Sequence, residues 1–169
     1  INRGVDTNYT KSSVKLWPLA YYNTLTRRLK QRYPDILLVQ LGASYDRCPP
    51  LENIDMDLVG KTNLEQIKPI LQHALVHIDG EGGMVHLRHA LGGGRSVVLF
   101  GPTSSEFFGY SENENLVGGG CDVWCEWALN KWQEGCLRGS YETPPCMASI
   151  TPEMVMEAAD SIIREEVRA

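Results

Sequence analysis

The run Glu81-Gly82-Gly83-Met84-Val85-His86 holds the residues of this chain best suited to grip an anionic ligand. Glycine in the first turn of a helix costs stability, so a pair there calls for a reason, and close approach of backbone N–H groups to a phosphate supplies one. Glu81, at the helix start, has two candidate duties. It could meet the helix dipole, worth about 0.3–1 kcal/mol, or accept hydrogen bonds from ribose or sugar hydroxyls. His86, one turn further on, is within range of the same ligand and equally suits a hydrogen-bonded core position. Thr103 follows Gly101-Pro102 at the end of an apolar run, where ligand loops sit in open α/β sheets and where ordinary turn residues also sit. His77 and Asp79 flank the preceding run and are assigned structural roles. Gly60-Lys61-Thr62 imitates the tail of a phosphate-binding loop, but position 55, where that loop needs glycine, is Asp55.

A second group of reactive side chains lies near the carboxyl end. Cys121, Cys125, Cys136 and Cys146 fall close together, and Cys121-x3-Cys125 is an allowed zinc spacing, whereas the nine residues between Cys136 and Cys146 are looser than a zinc knuckle. A structural metal, a disulfide pair and buried free thiols all fit, with free thiols in a reducing compartment preferred. Cys48 stands apart and is read as incidental.

The glycine run must be positioned by the stretch 75–103. It reads as an apolar run at 75–78, a glycine turn, a helix-like segment at 84–91, a second glycine turn and an apolar run at 97–100. Strands joined through a helix run parallel and are buried on both faces, which accounts for runs that are apolar throughout. Upstream, residues 1–9 read as polar loop. Pro18 is placed at the start of a helix over 18–32 with Leu19, Tyr22, Leu25 and Leu29 inward, and Pro34 stops it. A buried strand is expected over 36–41, then an irregular loop, then a helix over 64–74 capped by Asn63. Downstream, Phe107, Phe108 and Tyr110 are expected in a loop and residues 115–120 in a short strand. A Cys/Trp-rich segment spans 121–146, and a last helix from about Pro152 turns Met154, Val155, Ala158, Ile162 and Ile163 toward the sheet. Alternating strands and helices predict one doubly wound α/β domain over 1–169.

Composition sets limits on function. The 169 residues are 43% hydrophobic and 22% charged, enough for one well-buried core. The net charge of −5, with no basic run longer than Arg27–Arg28, excludes nucleic acid as a partner. No apolar stretch reaches the ~18–20 residues of a membrane span, and no signal peptide is evident. Because the chain opens on Ile1 with a glycine close behind, as though a first strand were cut through, a domain excised from a larger protein is expected.

The motifs taken together resemble glycosyltransferase family nine, the lipopolysaccharide heptosyltransferases. They are Lys15-x-Trp17-Pro18, DLVGKTNL at 57–64, GGMVHLRHALG at 82–92, LFGPT at 99–103, and the cysteine set leading into SITPEMV at 149–155. Members usually carry Asp-Ser/Thr-Gly-Pro-Met-His where this chain has Glu81 to His86, so the carboxylate here is one methylene longer and a hydroxyl is absent. The resemblance implies a Rossmann-like sheet forming the carboxyl-terminal half of a GT-B enzyme. It implies Lys15 beside the diphosphate of a nucleotide-sugar donor, where an ammonium neutralises charge that grows as the sugar–phosphate bond breaks. Glu81, Gly82, Gly83, His86 and Thr103 would complete the donor side, with ADP-heptose the donor by family habit. No cofactor is required, structural zinc staying an open alternative. The catalytic base, and recognition of a lipid-linked glycan acceptor, would belong to a missing amino-terminal domain, so the isolated chain is expected to be inactive. The implied location is the cytoplasm, peripheral at the inner face of the inner membrane. Two other readings remain: a non-catalytic nucleotide- or zinc-binding module of the same fold, and a small zinc-stabilised interaction domain.

Overall fold

The structure, a computed structural model, describes residues 1–3, 14–43, 50–121, 124, 125, 135–139, 141 and 143–168. The expectations for Cys48, for residues 4–9 of the amino-terminal loop and for half of the Cys/Trp-rich segment fall outside these residues. Helix α1 (Leu19–Arg32) starts directly after Pro18, which occupies the cap rather than the first helical position, and it buries Tyr22, Leu25, Thr26 and Leu29. Strand β1 (Val39–Gln40) is much shorter than the expected 36–41, because Leu37 turns outward and is 71% exposed. It pairs in parallel with β2 (Met56–Asp57), a strand too short and too polar in its flanks to show a period. Helix α2 (Leu64–His73) has the expected Asn63 cap, extended into a capping box by the Gln66 side chain.

The expected strand–helix–strand unit forms from β3 (His77–Gly80), α3 (Gly83–Ala90) and β4 (Ser96–Phe100), with β3 and β4 parallel and Ile78 opposite Val97. The first strand begins two residues later than the apolar run, so it takes the polar residues His77 and Asp79 into the core. Phe107 and Phe108 lie in a short helix, α4 (Ser105–Phe108), instead of a loop. Strand β5 (Glu114–Val117) adds in parallel to β4. An unanticipated helix, α5 (Pro145–Ser149), precedes α6 (Pro152–Arg168). Val155, Ala158, Ile162 and Ile163 of α6 are buried as expected, and the Thr151 hydroxyl accepts from the Met154 N–H at 3.3 Å, while the Met154 side chain is 36% exposed.

Residues 1–3 are not loop. Leu41 N–H donates to the Ile1 carbonyl at 2.8 Å, Asn2 N–H donates to the Ile78 carbonyl at 3.0 Å, and Asn2 bridges Leu41 in parallel. This segment joins the two sheets into the order β2, β1, residues 1–3, β3, β4, β5. That is the doubly wound nucleotide-fold order, whose switch point falls between residues 1–3 and β3. Alternate residues of β4 serve the two faces. Val97 and Leu99 pack with Trp17, Leu25, Ile150 and Ile162 on the α1/α6 side, and Val98 and Phe100 pack with Val85 on the α3 side. Trp17 donates its indole N–H to the Ile150 carbonyl at 2.7 Å and meets Tyr22 edge-on at 4.7 Å, which fixes the chain just before α1.

Two polar side chains are structural anchors. Asn2 Nδ2 donates to both Asp79 carboxylate oxygens at 3.0 and 3.1 Å. Burial pushes the Asp79 carboxyl up to about 8, and burial likewise holds His77 well below its ordinary value. Arg88, wholly buried, donates to the carbonyls of Leu71, Ala74 (2.9 Å), Gly94 (2.7 Å) and Arg95 (3.3 Å), tying the last turn of α3 to the end of α2 and to the approach to β4.

Replacing Arg88→Leu strands these buried carbonyls and is expected to lower unfolding stability by about 2–4 kcal/mol in urea titrations. Because the folded-state Asp79 carboxyl titrates at about 8, above its ordinary value of 3.8, the folded chain holds a proton that the unfolded chain has lost. The associated stability is therefore full below pH 4 and falls away as pH rises toward 8. Asp79→Asn is expected to flatten that slope in urea unfolding measured between pH 5 and 8.

Candidate functional site

Three of the sequence-predicted residues converge at the carboxyl ends of the strands beside the switch point. Glu81 extends β3 by one residue, its N–H donating to the Leu99 carbonyl at 3.1 Å, and this sets its side chain at the mouth of α3. Lys15 stands two residues before the anchored Trp17, and a Cβ added to Gly80 would lie 3.8 Å from the Lys15 carbonyl oxygen. Its ammonium donates to the Glu81 carboxylate at 2.5 Å and to the Glu81 carbonyl at 3.2 Å. His86 Nε2 lies 3.6 Å from the other Glu81 carboxylate oxygen. The Glu81 side chain is 8% exposed, against 24% for Lys15 and 39% for His86, so the carboxylate is sunk between two outward-reaching nitrogen groups. Glu81 thus has a duty that its position in the sequence does not disclose, holding Lys15 at the helix mouth.

Among the described residues, packing does not account for the glycines. Gly82 caps α3 with an extended backbone that any residue could adopt. A Cβ at Gly82 would make only an ordinary 3.8 Å contact with the Gly80 carbonyl, and one at Gly83 would meet nothing within 4 Å. Neither local strain nor crowding by the described residues demands glycine here. What remains is room directly over the first N–H groups of α3, which helix geometry leaves without intrahelical acceptors.

Thr103, three residues past β4, is buried, and among the described residues its hydroxyl makes no hydrogen bond to this group or elsewhere. Two residues outside the sequence-based set do belong beside the site. Tyr110 places its hydroxyl 2.9 Å from His86 Nδ1 and stacks on His89 with centroids 3.6 Å apart, and His89 in turn meets Glu112 at 2.5 Å. The spacing of His86 and His89, three residues apart on one helix face, was the available signal for such a pair. Nothing local linked either to a tyrosine 24 positions on. The apolar cavity of about 300 Å³ between α1, α2 and β3, lined among others by Leu29, Leu38, Leu71 and Ile78, opens at the amino ends of the strands. In sheets of this order ligands bind at the carboxyl ends, so the Lys15–Glu81 corner is the better candidate.

Cys121, Cys125, Cys136 and Cys146 carry free thiols. Cys125 N–H donates to the Pro102 carbonyl at 2.9 Å, and Cys146 lies against Gly101, where an added Cβ would be 3.3 Å from its sulfur, so both adjoin the end of β4. Among the described residues no group of three or more His, Cys, Asp or Glu side chains is placed to hold a metal ion. Lys61, from the rejected phosphate-loop imitation, pairs instead with Asp57 at 3.4 Å.

A doubly wound parallel sheet in this strand order defines a Rossmann-like α/β domain. The sequence of residues 7–135 matches the model of glycosyltransferase family 9 (heptosyltransferase), and the chain belongs to that family. It is similar in fold to the ADP-heptose LPS heptosyltransferase II of E. coli. The identity is 18% and the TM-score 0.71, over 98% of this chain and 46% of that one. It is likewise similar to a glycosyltransferase family 9 protein from Veillonella parvula DSM 2008. Here the identity is 18% and the TM-score 0.70, over 95% of this chain and 47% of that one. The chain therefore spans about half the length of these structures. Its expected α/β, GT-B type architecture is the one observed. No curated protein sequence matches it. Among the described residues no helix is long and apolar enough to cross a membrane.

The cysteines differ enough in setting to be told apart chemically. Burial, reinforced by the neighbouring thiols of Cys121, Cys125 and Cys136, pushes the Cys146 thiol up to about 11. At pH 8 iodoacetamide is therefore expected to modify the half-buried Cys121 and Cys136 first and Cys146 only on unfolding, as read by peptide mass mapping. Equal rates would contradict the buried placement.

Proposed function

We propose that the corner formed by Lys15, Glu81, Gly82, Gly83 and His86 seats a nucleoside-diphosphate sugar. On this reading the chain is the carboxyl-terminal, donor-binding half of an inverting glycosyltransferase of lipopolysaccharide or related surface-glycan synthesis. The observation that supports this most is the gathering of a lysine ammonium, a histidine and the mouth of α3 around glycines that no described residue crowds. Family membership supports the reaction class, and the name of the E. coli neighbour supports an ADP-heptose-like donor.

In this role the diphosphate lies over the first turn of α3 and draws the Lys15 ammonium away from Glu81 onto its own oxygens. Glu81, released, accepts hydroxyl hydrogen bonds from the ribose or sugar. In transfer, the acceptor oxygen forms its bond to the anomeric carbon on the face opposite the breaking sugar–phosphate bond, and the electron pair of that bond leaves with the diphosphate. Lys15, His86 and the helix N–H groups stabilise the departing charge. The acceptor proton passes to a base in the amino-terminal half, which also binds the lipid-linked glycan at the inner face of the membrane. The chain alone then binds donor and transfers nothing. No resident cofactor is needed.

The test is an NMR titration of the chain with ADP, GDP, UDP and CDP. One diphosphate is expected to shift the amide signals of residues 82–86, and Lys15→Ala to weaken it about tenfold or more, as loss of a charge-assisted phosphate contact should. Shifts centred elsewhere, or none at millimolar nucleotide, would sink the reading.

A further inference from the structure

Tyr110 is held from several sides. Its ring stacks on His89 at 3.6 Å with the planes 14° apart, its carbonyl accepts from Asn115 Nδ2 at 2.8 Å and from Asn113 N–H at 3.1 Å, and its edge meets the His86 ring at 5.6 Å. From this fixed mount the hydroxyl reaches His86 Nδ1 at 2.9 Å. The other ring nitrogen, Nε2, faces the Glu81 carboxylate at 3.6 Å.

A neutral imidazole carries its single proton on one nitrogen, and the hydrogen bond made by the other decides which. A carboxylate is an acceptor only, whereas a phenol can donate or accept. If Nδ1 held the proton, the Nε2 lone pair would point at the Glu81 oxygens, two acceptors face to face. If Tyr110 donates to Nδ1, the proton sits on Nε2 and the ring offers an N–H toward Glu81. Of the two neutral forms, only the second avoids setting acceptor against acceptor at Glu81. We infer that Tyr110 is a positioning residue of the donor site, fixing the orientation and tautomer of His86 so that an N–H is presented where the diphosphate lies. This rests on the donor reading given above. When a diphosphate replaces Glu81 as the acceptor, the same N–H already points at it, and no ring flip or proton transfer is needed on binding.

Tyr110→Phe removes the hydroxyl and keeps the ring on His89, so the fold is retained. The wild-type chain with ¹⁵N-labelled histidine is expected to show His86 as the Nε2–H tautomer in ring ¹⁵N–¹H correlation spectra. The Tyr110→Phe variant is expected to show a tautomer mixture and to bind the preferred nucleoside diphosphate about three- to tenfold more weakly. In a His86→Ala background the Tyr110→Phe change should then cost nothing further, because its effect passes through His86. An unchanged tautomer in Tyr110→Phe overturns the inference, as does an equal loss of affinity with and without His86. If the tautomer changes as expected but the wild type binds none of the four diphosphates, the donor reading fails, and with it the role given to Tyr110. That outcome is distinguishable because the proton placement is read without ligand.

Discussion

The Lys15–Glu81 corner depends on the hydrogen bonds made by residues 1–3. Leu41 N–H to the Ile1 carbonyl and Asn2 N–H to the Ile78 carbonyl bind a two-stranded and a three-stranded sheet into one surface. Without that seam β1 and β3 would have no common edge and there would be no switch point. With it, the carboxyl ends of residues 1–3 and of β3 are neighbours, and Lys15 meets Glu81 of the turn that follows β3. The buried Asn2–Asp79 pairing lies at the same seam, a polar clasp where an apolar contact would serve packing alone.

The candidate site is built by the economy usual in open α/β sheets, in which rigid strands deliver loops and the loops carry the chemistry. Lys15 is positioned by Trp17 and its bond to Ile150, Glu81 by its ladder bond to Leu99, and His86 by the helix and by Tyr110. Each polar residue at the corner is thus held by an element with its own reason to be fixed. The internal Lys15–Glu81 pair gives the corner a settled arrangement in which neither charge is left alone in a partly buried place.

Much of this was legible in the sequence, for identifiable reasons. The strand–helix–strand unit announces itself through apolar runs separated by glycines, and α1, α2 and α6 through proline or cap residues with a helical period. Strand β2, two residues long, and α5, five residues long, are shorter than any period. Residues 1–3 look like loop because a strand of three with asparagine at its centre carries no apolar signature. The site divides along the same line. Glycines before a helix can be read locally, whereas the grip of Lys15 on Glu81 joins residues 66 apart and exists only once the sheet is assembled. Tyr110 escapes notice because its partners lie on a helix that precedes it.

The fixation of Arg88 has a mechanical meaning. Helix α3 is two turns long, and its last turn is bolted to four carbonyls from the end of α2 and the approach to β4. Its first turn is held as well, because the Glu81 N–H bonds the Leu99 carbonyl just ahead of the Gly82 cap. A short rod fixed at both ends keeps its axis, so the offset between the Gly82–Gly83 mouth and the His86 ring is set by the fold itself.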